Sequence, residues 1–452
     1  MPKVVAQAMK ILHLPESCLP WRTGGKEVYC HSLSLELAKA GVSNVVAIHR
    51  SAIPDLAAGV YAHEGIPVHV LPDLPGHHGR LASYAKAFPE IPGFADLLDE
   101  IAPDLVHFHD QGGGASLSHL REVKRRGIPA IITIHSPGQT CPQRELLRYG
   151  TIPCDGEVRL GRCTACRLTV SGVPRAAAHL LALAECPGMP ESPKSRLARA
   201  LTGRRMTRLF RDSLDEFFHL SDGLVVLADW SREVMLRNGA APEKVHLIRT
   251  GGPDPLPSPG PPRSDAGSLL RLVCLGRATR IKGMHVLVEA VKLLPPEVAV
   301  EVHFLGPYWE TEPYGLELMA RTKNDSRFRQ PRLIPPDELP EVVAGMDLVI
   351  VPSLWLETGP LTVFDALAAG VPVAGSRLGG IAELITDGVN GWLFDAGNAA
   401  ALSDLIFRAV REPESLARLR KDLRPLRMMR EVASDYGCLY DELIGATVSS
   451  RP

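Results

Sequence analysis

The chain has 452 residues, too many for one ordinary hydrophobic core, so two or three domains are expected. Hydrophobic content of 45% with charged content of 22% is that of a soluble globular protein. Lysine plus arginine (50) balance aspartate plus glutamate (51), which excludes a general electrostatic pull toward nucleic acid. No run of eighteen apolar residues marks a membrane span, and no signal-peptide core precedes the first strand, so a cytoplasmic location is expected. Nine cysteines, an odd number in a long chain, argue against a disulfide framework.

Lys10 to Leu14 reads as a short buried strand. The loop after it, Pro20-Trp-Arg-Thr-Gly24-Gly25, opens a helix to about Ala40, with Leu33, Leu37 and Ala40 on one face. Such a turn offers amides to an anion, but the third glycine of a dinucleotide fingerprint is missing. Strands then recur at Val45–Ile48, Val68–Leu71, Leu105–His109, Ala130–His135 and Gly223–Leu227. Helical patterns at Phe94–Ile101, Ser116–Arg126 and Ser231–Asn238 separate several of them. Strand–helix alternation predicts a parallel sheet covered on both faces, with ligands beyond the carboxyl ends of the strands. His109 and His135 stand at two such ends.

Cys141, Cys154, Cys163 and Cys166 follow at once, the last two as C-x-x-C among turn residues. Four soft ligands in a short insert (about 138–170) suit a tetrahedral structural Zn²⁺; a redox pair, an iron–sulfur cluster and plain free cysteines are the competing readings. From Lys194 to Arg211 there are seven basic residues and no acidic one, interspersed with Leu197, Leu201, Leu209 and Phe210. The stretch (194–212) reads either as an amphipathic surface for anionic lipid, on the inner face of a membrane, or as a solvated helix face. Six prolines between Pro253 and Pro262 make a stiff linker, 253–268.

A second alternating unit begins at Leu270. Its first strand, to Leu275, leads into Gly276-Arg277-Ala-Thr-Arg280-Ile-Lys282-Gly283, where clustered cations make an anion site, and then a helix from Met284. Val300–Leu305, Arg332–Ile334, Leu348–Val351 and Val373–Gly375 are read as later strands. After Leu348–Val351 comes a polar turn with Glu357, Gly359 and Pro360, then a helix, Leu361 to Ala369, closed by Gly370 and Pro372. Phosphate can sit on the amides of Leu361 and Thr362 at the helix start. Glu357 and Asp365, about two helical turns apart, are expected to face one cleft and accept hydrogen bonds from sugar and ribose hydroxyls.

The stretch Pro352–Val373 resembles the donor-site signature of glycosyltransferase family 4, retaining enzymes of the GT-B fold: an acid, a Gly-rich turn, and a second acid in a helix ending Ala-x-Gly-x-Pro-Val. It departs from that pattern at Asp365, where Glu is usual, and at Pro360, which has no N–H to offer. Gly276-Arg277 with Lys282-Gly283 is a second match, implying that Arg277 and Lys282 hold the donor diphosphate. Ile334-Pro-Pro-Asp-Glu-Leu matches the edge of the base pocket. The resemblance further implies that Gly25 and Gly359 border the donor, that His135 contacts its sugar, and that His109 lies near the acceptor.

The implied fold class is α/β: two Rossmann-like domains facing across a cleft, with the Cys-rich insert in the N-terminal one. The expected boundaries are 1–252 for the acceptor domain, 269–428 for the donor domain, and 429–452 for a helix crossing back. The implied reaction moves a sugar from a nucleotide-sugar donor to a hydroxyl of a sugar or lipid-linked acceptor, with retention and without a catalytic metal, in polysaccharide or glycoconjugate synthesis. A nucleotide-sugar epimerase and a non-catalytic nucleotide-sugar-binding scaffold are the alternatives. A zinc hydrolase is disfavoured, because four protein ligands leave the metal no open position.

Overall fold

A computed structural model describes residues 8–53, 55–74, 85–112, 115–183, 185, 195–256, 269–421, 423–424 and 426–449. The chain divides into two compact units, Met1–Arg249 with Arg430–Pro452, and Thr250–Met429.

The first unit is built on an eight-stranded sheet. Its strands are β1 (Lys10–Leu14), β2 (Ser43–His49), β3 (Gly59–His63), β4 (Ile66–Leu71), β5 (Leu105–His109) and β6 (Ala130–Ile134); β7 (Leu147–Arg148) and β8 (Ile152–Pro153) form a separate hairpin, and β9 (Gly223–Val226) and β10 (Val245–Leu247) complete the sheet. The order is β10-β9-β6-β5-β1-β2-β4-β3, parallel except for the β3–β4 pair. Central strands are buried along their length because helices cover both faces. On one face Leu12, Phe108 and Ile132 meet Phe94, Leu120, Phe210 and Phe217 from three helices. The helix Gly203–Leu220 turns Met206, Phe210, Leu214 and Phe217 inward at helical spacing, which is why it lies flat on this core.

The C-terminal helix, Met429–Ser449, packs on the same sheet through two fully buried tyrosines, Tyr436 and Tyr440. Tyr440 Oη lies 2.8 Å from Nδ1 of His107, whose Nε2 lies 2.7 Å from Thr133 Oγ1. Thr133 Oγ1 is in turn 2.6 Å from Tyr436 Oη, which accepts from Tyr29 Oη at 3.2 Å. Buried hydroxyls and imidazoles thus satisfy one another, so this polar layer costs little to bury.

The second unit has five parallel strands, β11 (Leu270–Leu275), β12 (Val300–Leu305), β13 (Leu348–Val351), β14 (Val373–Ser376) and β15 (Gly391–Phe394), in the order β12-β11-β13-β14-β15. Alternate residues feed two cores: Leu272 and Ile350 on one face, Val273, Val349 and Val351 on the other. Gly252 N–H donates to Arg427 O at 2.8 Å and Met429 N–H to Gly252 O at 3.1 Å, pairing the unit's first and last segments.

The structure differs from the sequence reading in four places. Arg332–Ile334 is not a strand: only Arg332 bridges to Leu305, because Pro331, Pro335 and Pro336 leave too few donors around it. Gly391–Phe394, absent from the strands expected above, is the edge strand β15. Gly59–His63, with alternation too weak to read, is an antiparallel edge strand. The proline run falls largely outside the described residues, and Leu256 N–H already bonds Ala368 O at 3.2 Å within the second unit. Among the described residues no helix is long and apolar enough to cross a membrane.

Tyr436 is expected to tie the C-terminal helix to the first sheet. Tyr436→Ala should lower unfolding stability by about 3–5 kcal/mol, as for other buried aromatic truncations, while Tyr436→Phe should cost only about 1–2 kcal/mol. Urea denaturation followed by circular dichroism measures both; equal losses would show that the hydroxyl chain, not the packing, holds the helix.

Candidate functional site

In the second sheet the strand order reverses between β11 and β13, since one connection leads outward to β12 and the others to β14 and β15. The loops leaving these two strands therefore diverge and leave a crevice at their carboxyl ends. They are Gly276–Gly283 after β11 and Pro352–Pro360 after β13, and they are stitched together. Leu354 N–H donates to Ile281 O at 2.8 Å. Gly283 sits at φ 68°, and a Cβ there would lie 1.8 Å from Pro352 O, so only glycine permits the approach.

Across this seam Lys282 Nζ lies 2.7 Å from Glu357 Oε1, which also accepts from Ser353 Oγ at 2.8 Å. Glu357 is buried, at 6% exposure. Burial favours its neutral form, but the Lys282 ammonium and the Ser353 hydroxyl outweigh that and hold the carboxyl below its ordinary value. Gly380 N–H supports the Glu357 carbonyl at 2.7 Å. Arg277 is exposed and, among the described residues, has no ion pair. Lys282 has three donors and Arg277 five, so both retain capacity toward an anion.

The helix after this loop is Leu361–Ala368, capped by Pro360 in extended conformation. Val363 N–H turns back to Pro360 O at 2.9 Å, while the amides of Leu361 and Thr362 stand at the open end of the helix. Gly359 is needed for packing: a Cβ there would lie 2.3 Å from Thr250 Oγ1. Asp365 lies in the helix, but Glu357 lies four residues ahead of it. The expected two-turn helical relation of the acids is therefore replaced by a loop held on Lys282. Asp365 is half-buried, and no side-chain hydrogen bond reaches it among the described residues. Burial pushes its carboxyl up to about 7.

The first sheet reverses order between β1 and β5, and four histidines gather there. His13, His107 and His109 are buried and His135 is partly so. Asn44 Nδ2 donates to Ser34 O and Val42 O, so its Oδ1 is an acceptor, 3.0 Å from His13 Nε2. His13 Nδ1 lies 3.1 Å from His109 Nε2, and His109 Nδ1 lies 3.1 Å from His135 Nε2. The hydrogen-bond pattern then assigns every proton. His13 donates to Asn44, His109 to His13 and His135 to His109, which leaves Nδ1 of His135 without a proton. Burial holds all three imidazoles neutral, His13 and His135 at about 4 and His109 well below its ordinary value. Asp110, at φ 63°, accepts from the His135 amide at 2.7 Å and lies 3.6 Å from Lys26 Nζ, which also pairs with Glu16 at 3.0 Å. Gly25 starts the helix Gly25–Lys39 that carries Lys26.

The four insert cysteines line one cavity with Gln143, Leu146 and Arg162. Within the insert Leu146, Ala165 and Leu168 are buried, and the helix Leu160–Val170 packs on Gly203–Leu220. Two other groups, His13–Cys30–His109 and His31–His63–Glu64, have donor atoms within 4.8 Å of one another, close enough to hold a metal ion. In the basic stretch, Arg208 pairs with Glu185 and Arg211 with Asp215, and Met206 and Phe210 are buried.

Residues 24–251 match a family model described as glycosyl transferase 4-like domain, and residues 267–424 match glycosyl transferases group 1. The first match covers half of the chain. The chain belongs to the glycosyl transferase 4-like family. The putative colanic acid biosynthesis glycosyltransferase WcaL of Escherichia coli (strain K12) is 25% identical over 210 residues, 45% of this chain and 51% of that protein. The chain spans about half the length of the curated relatives it matches. Sucrose-phosphate synthase from Thermosynechococcus elongatus aligns with a TM-score of 0.64 at 18% identity, over 97% of this chain and 100% of the other. Anabaena Alr3699/HepE, solved with UDP and glucose, aligns with a TM-score of 0.56 at 16% identity, over 98% of this chain and 100% of the other. At these identities the likeness is one of fold, and that fold is GT-B, a pair of Rossmann-like units.

Reasoning from sequence missed His13, Asn44, Lys26, Asp110 and Ser353. His13 had a usable signal, a polar residue inside the apolar run that follows Lys10 in the first strand. Asn44 and Ser353 had none, since their role depends on partners distant in the chain or on loop geometry.

Asp365 sets a pH test. Its folded-state pKa, about 7, exceeds the ordinary carboxyl value, so the folded chain holds the proton more tightly than the unfolded chain. Stability from this group is full below about pH 4 and is lost as pH rises through 7. Asp365→Asn should therefore raise the melting temperature at pH 8 and leave it nearly unchanged at pH 4. Thermal unfolding of the ligand-free proteins at both pH values decides it, and an equal shift at both would refute the assignment.

Proposed function

We propose that the chain is a retaining glycosyltransferase that moves a sugar from a nucleoside-diphosphate sugar to a hydroxyl acceptor in polysaccharide or other glycoconjugate synthesis. The observation that carries this reading is the convergence of Lys282, Arg277, the Leu361 and Thr362 amides, Glu357 and Asp365 on one strand-order reversal. The cations and amides suit a diphosphate, and the two acids suit hydroxyls. The colanic acid relative and the neighbour solved with UDP and glucose support the substrate class.

In this reading the acceptor oxygen attacks the anomeric carbon from the face of the departing diphosphate. The new C–O bond forms as the bond to phosphate breaks, and the acceptor proton passes to a phosphate oxygen. Lys282 and Arg277 oppose the charge growing on that phosphate, where electrostatic help counts most. Glu357, kept ionised, accepts from hydroxyls of the sugar. Nδ1 of His135, kept unprotonated by His109 and His13, is an acceptor for another sugar hydroxyl, and His109 acts through His135 rather than on the acceptor. Asp365 finds its missing donors in the ribose hydroxyls. Gly25 lets the backbone come close to the donor, while Gly359 supports the loop through its packing against Thr250. No catalytic metal enters this scheme, and a zinc ion in the cysteine insert would be structural.

Lys282→Ala and Glu357→Ala should each lower transfer tenfold or more, on the order of 1.4 kcal/mol per decade. A thermal-shift panel of nucleoside diphosphates and nucleotide sugars should show a shift in wild type that Lys282→Ala loses. Near-normal transfer in both variants would sink the site. Conversion of free nucleotide sugar without acceptor would mark an epimerase instead, and nucleotide binding without any turnover a scaffold.

We also propose peripheral contact with anionic lipid on the cytoplasmic side, along residues 194–211. Exposed Leu197, together with Leu180 and Leu183, lies near Arg196 and Arg199, which are exposed in turn. Flotation with vesicles containing phosphatidylglycerol should carry the protein up and neutral vesicles should not; equal behaviour refutes the contact.

A further inference from the structure

The cysteine insert is shaped around its sulfurs. Cys141 follows the helical turn Pro137–Gln139, Cys154 follows β8, and Cys163 and Cys166 lie one turn apart in the helix Leu160–Val170. Three pieces of chain thus bring four thiols to one cavity. All four are free cysteines.

The backbone between them adopts conformations that side-chain-bearing residues rarely take. Arg144, Leu146 and Tyr149 have φ of 67°, 51° and 57°. Such positions persist only where the surroundings over-determine them. Here one of these residues, Tyr149, turns its amide onto a sulfur. The Tyr149 N–H donates to Cys166 Sγ at 3.1 Å. Cys163 Sγ lies 3.8 Å from Glu157 O, and Cys154 Sγ lies 3.8 Å from Asp155 Oδ1. A neutral thiol is a poor acceptor. Four cysteines from three chain segments around one cavity form an all-sulfur donor set, the kind that closes a tetrahedral shell around Zn²⁺.

We propose that Cys141, Cys154, Cys163 and Cys166 bind one Zn²⁺ as four thiolates, and that this ion fixes the insert between His135 and the helix Gly203–Leu220. Four protein ligands close the coordination shell, so the ion is structural. No three of these sulfurs lie within 4.8 Å of one another in the metal-free chain, so the proposal requires them to close in around the ion. The competing metal group His13–Cys30–His109 is a poorer candidate, because both of its imidazoles are already committed to the hydrogen-bonded chain from Asn44. The proposal stands independently of the transferase reading.

The test is metal analysis of the full chain purified under reducing conditions without chelator, alongside the C154S/C163S double variant. One zinc per chain in wild type, lost in the double variant, is the expected result. Because the variant can misfold, wild type is also titrated with a mercurial: modification of the thiols should release one equivalent of zinc to a chromogenic chelator. Cobalt reconstitution should then give the ligand-field bands of a tetrahedral tetrathiolate. Wild type that takes up no zinc on reconstitution, an iron–sulfide absorbance, or zinc retained by the double variant would each overturn the assignment.

Discussion

The ion pair between Lys282 and Glu357 is the constraint around which the second unit's loops are set. Neither charge is stable alone where Glu357 lies, and removing one partner of such a pair typically costs about 3–5 kcal/mol. The two residues come from different loops, 75 positions apart in the chain. Their contact therefore fixes the loops after β11 and β13 against each other, which the Leu354–Ile281 hydrogen bond and Gly283 reinforce. The pair also keeps the site ready for an anion. Lys282, held in place by Glu357, needs no reorganisation to meet a second negative group, which is the condition under which fixed charges help a reaction most.

The first unit solves a related problem with neutral groups. Imidazoles in a dry layer cannot afford charge, and all three in the chain from Asn44 are pushed toward neutrality by burial. A neutral imidazole must choose a tautomer, and a mixed population would blunt any contact it makes. Asn44 removes the choice. Its amide is oriented by two backbone carbonyls, and that orientation passes through His13 and His109 to His135. The second polar layer, from Tyr29 through Tyr436 and Thr133 to His107 and Tyr440, seats the C-terminal helix beside it. Histidine protonation and helix docking thus rest on adjoining hydrogen-bonded chains on one sheet.

The parallel sheets were legible because buried strands such as Leu105–His109 and Leu348–Val351 are apolar runs bounded by turns. Edge strands were not: β3 is half-exposed and β15 begins at a glycine, so neither carries that signal. At the site, residue types were legible where a short motif confines them, as for Lys282, Glu357 and Asp365. Their relations were not. Glu357 and Asp365 are separated by a loop whose path depends on Lys282, Gly380 and Thr250, all distant in sequence. Gly359 likewise reads as a ligand-facing glycine, while the structure gives it a packing reason against Thr250. The cysteine insert was legible as a ligand set but not as a folded element, because its buried leucines and alanine are too few to show a period.

The two departures from the family pattern have a joint consequence. Pro360 removes one amide from the helix start, so the anion there loses a hydrogen bond that the backbone would otherwise supply. That shifts charge neutralisation toward Lys282 and Arg277. Asp365 is one methylene shorter than glutamate, and it sits half-buried with a raised carboxyl pKa. A longer acid could reach outward to solvent or to a cation; this one waits for hydroxyl donors to arrive. The ligand-free site is thus left with surplus positive capacity on one side and an unsatisfied acceptor on the other. In the proposed reading a nucleoside diphosphate would complete both at once, its phosphates meeting the cations and its ribose the acid. On that reading the arrangement would favour the whole donor over inorganic phosphate or a free nucleoside, because neither of those would satisfy more than half of it.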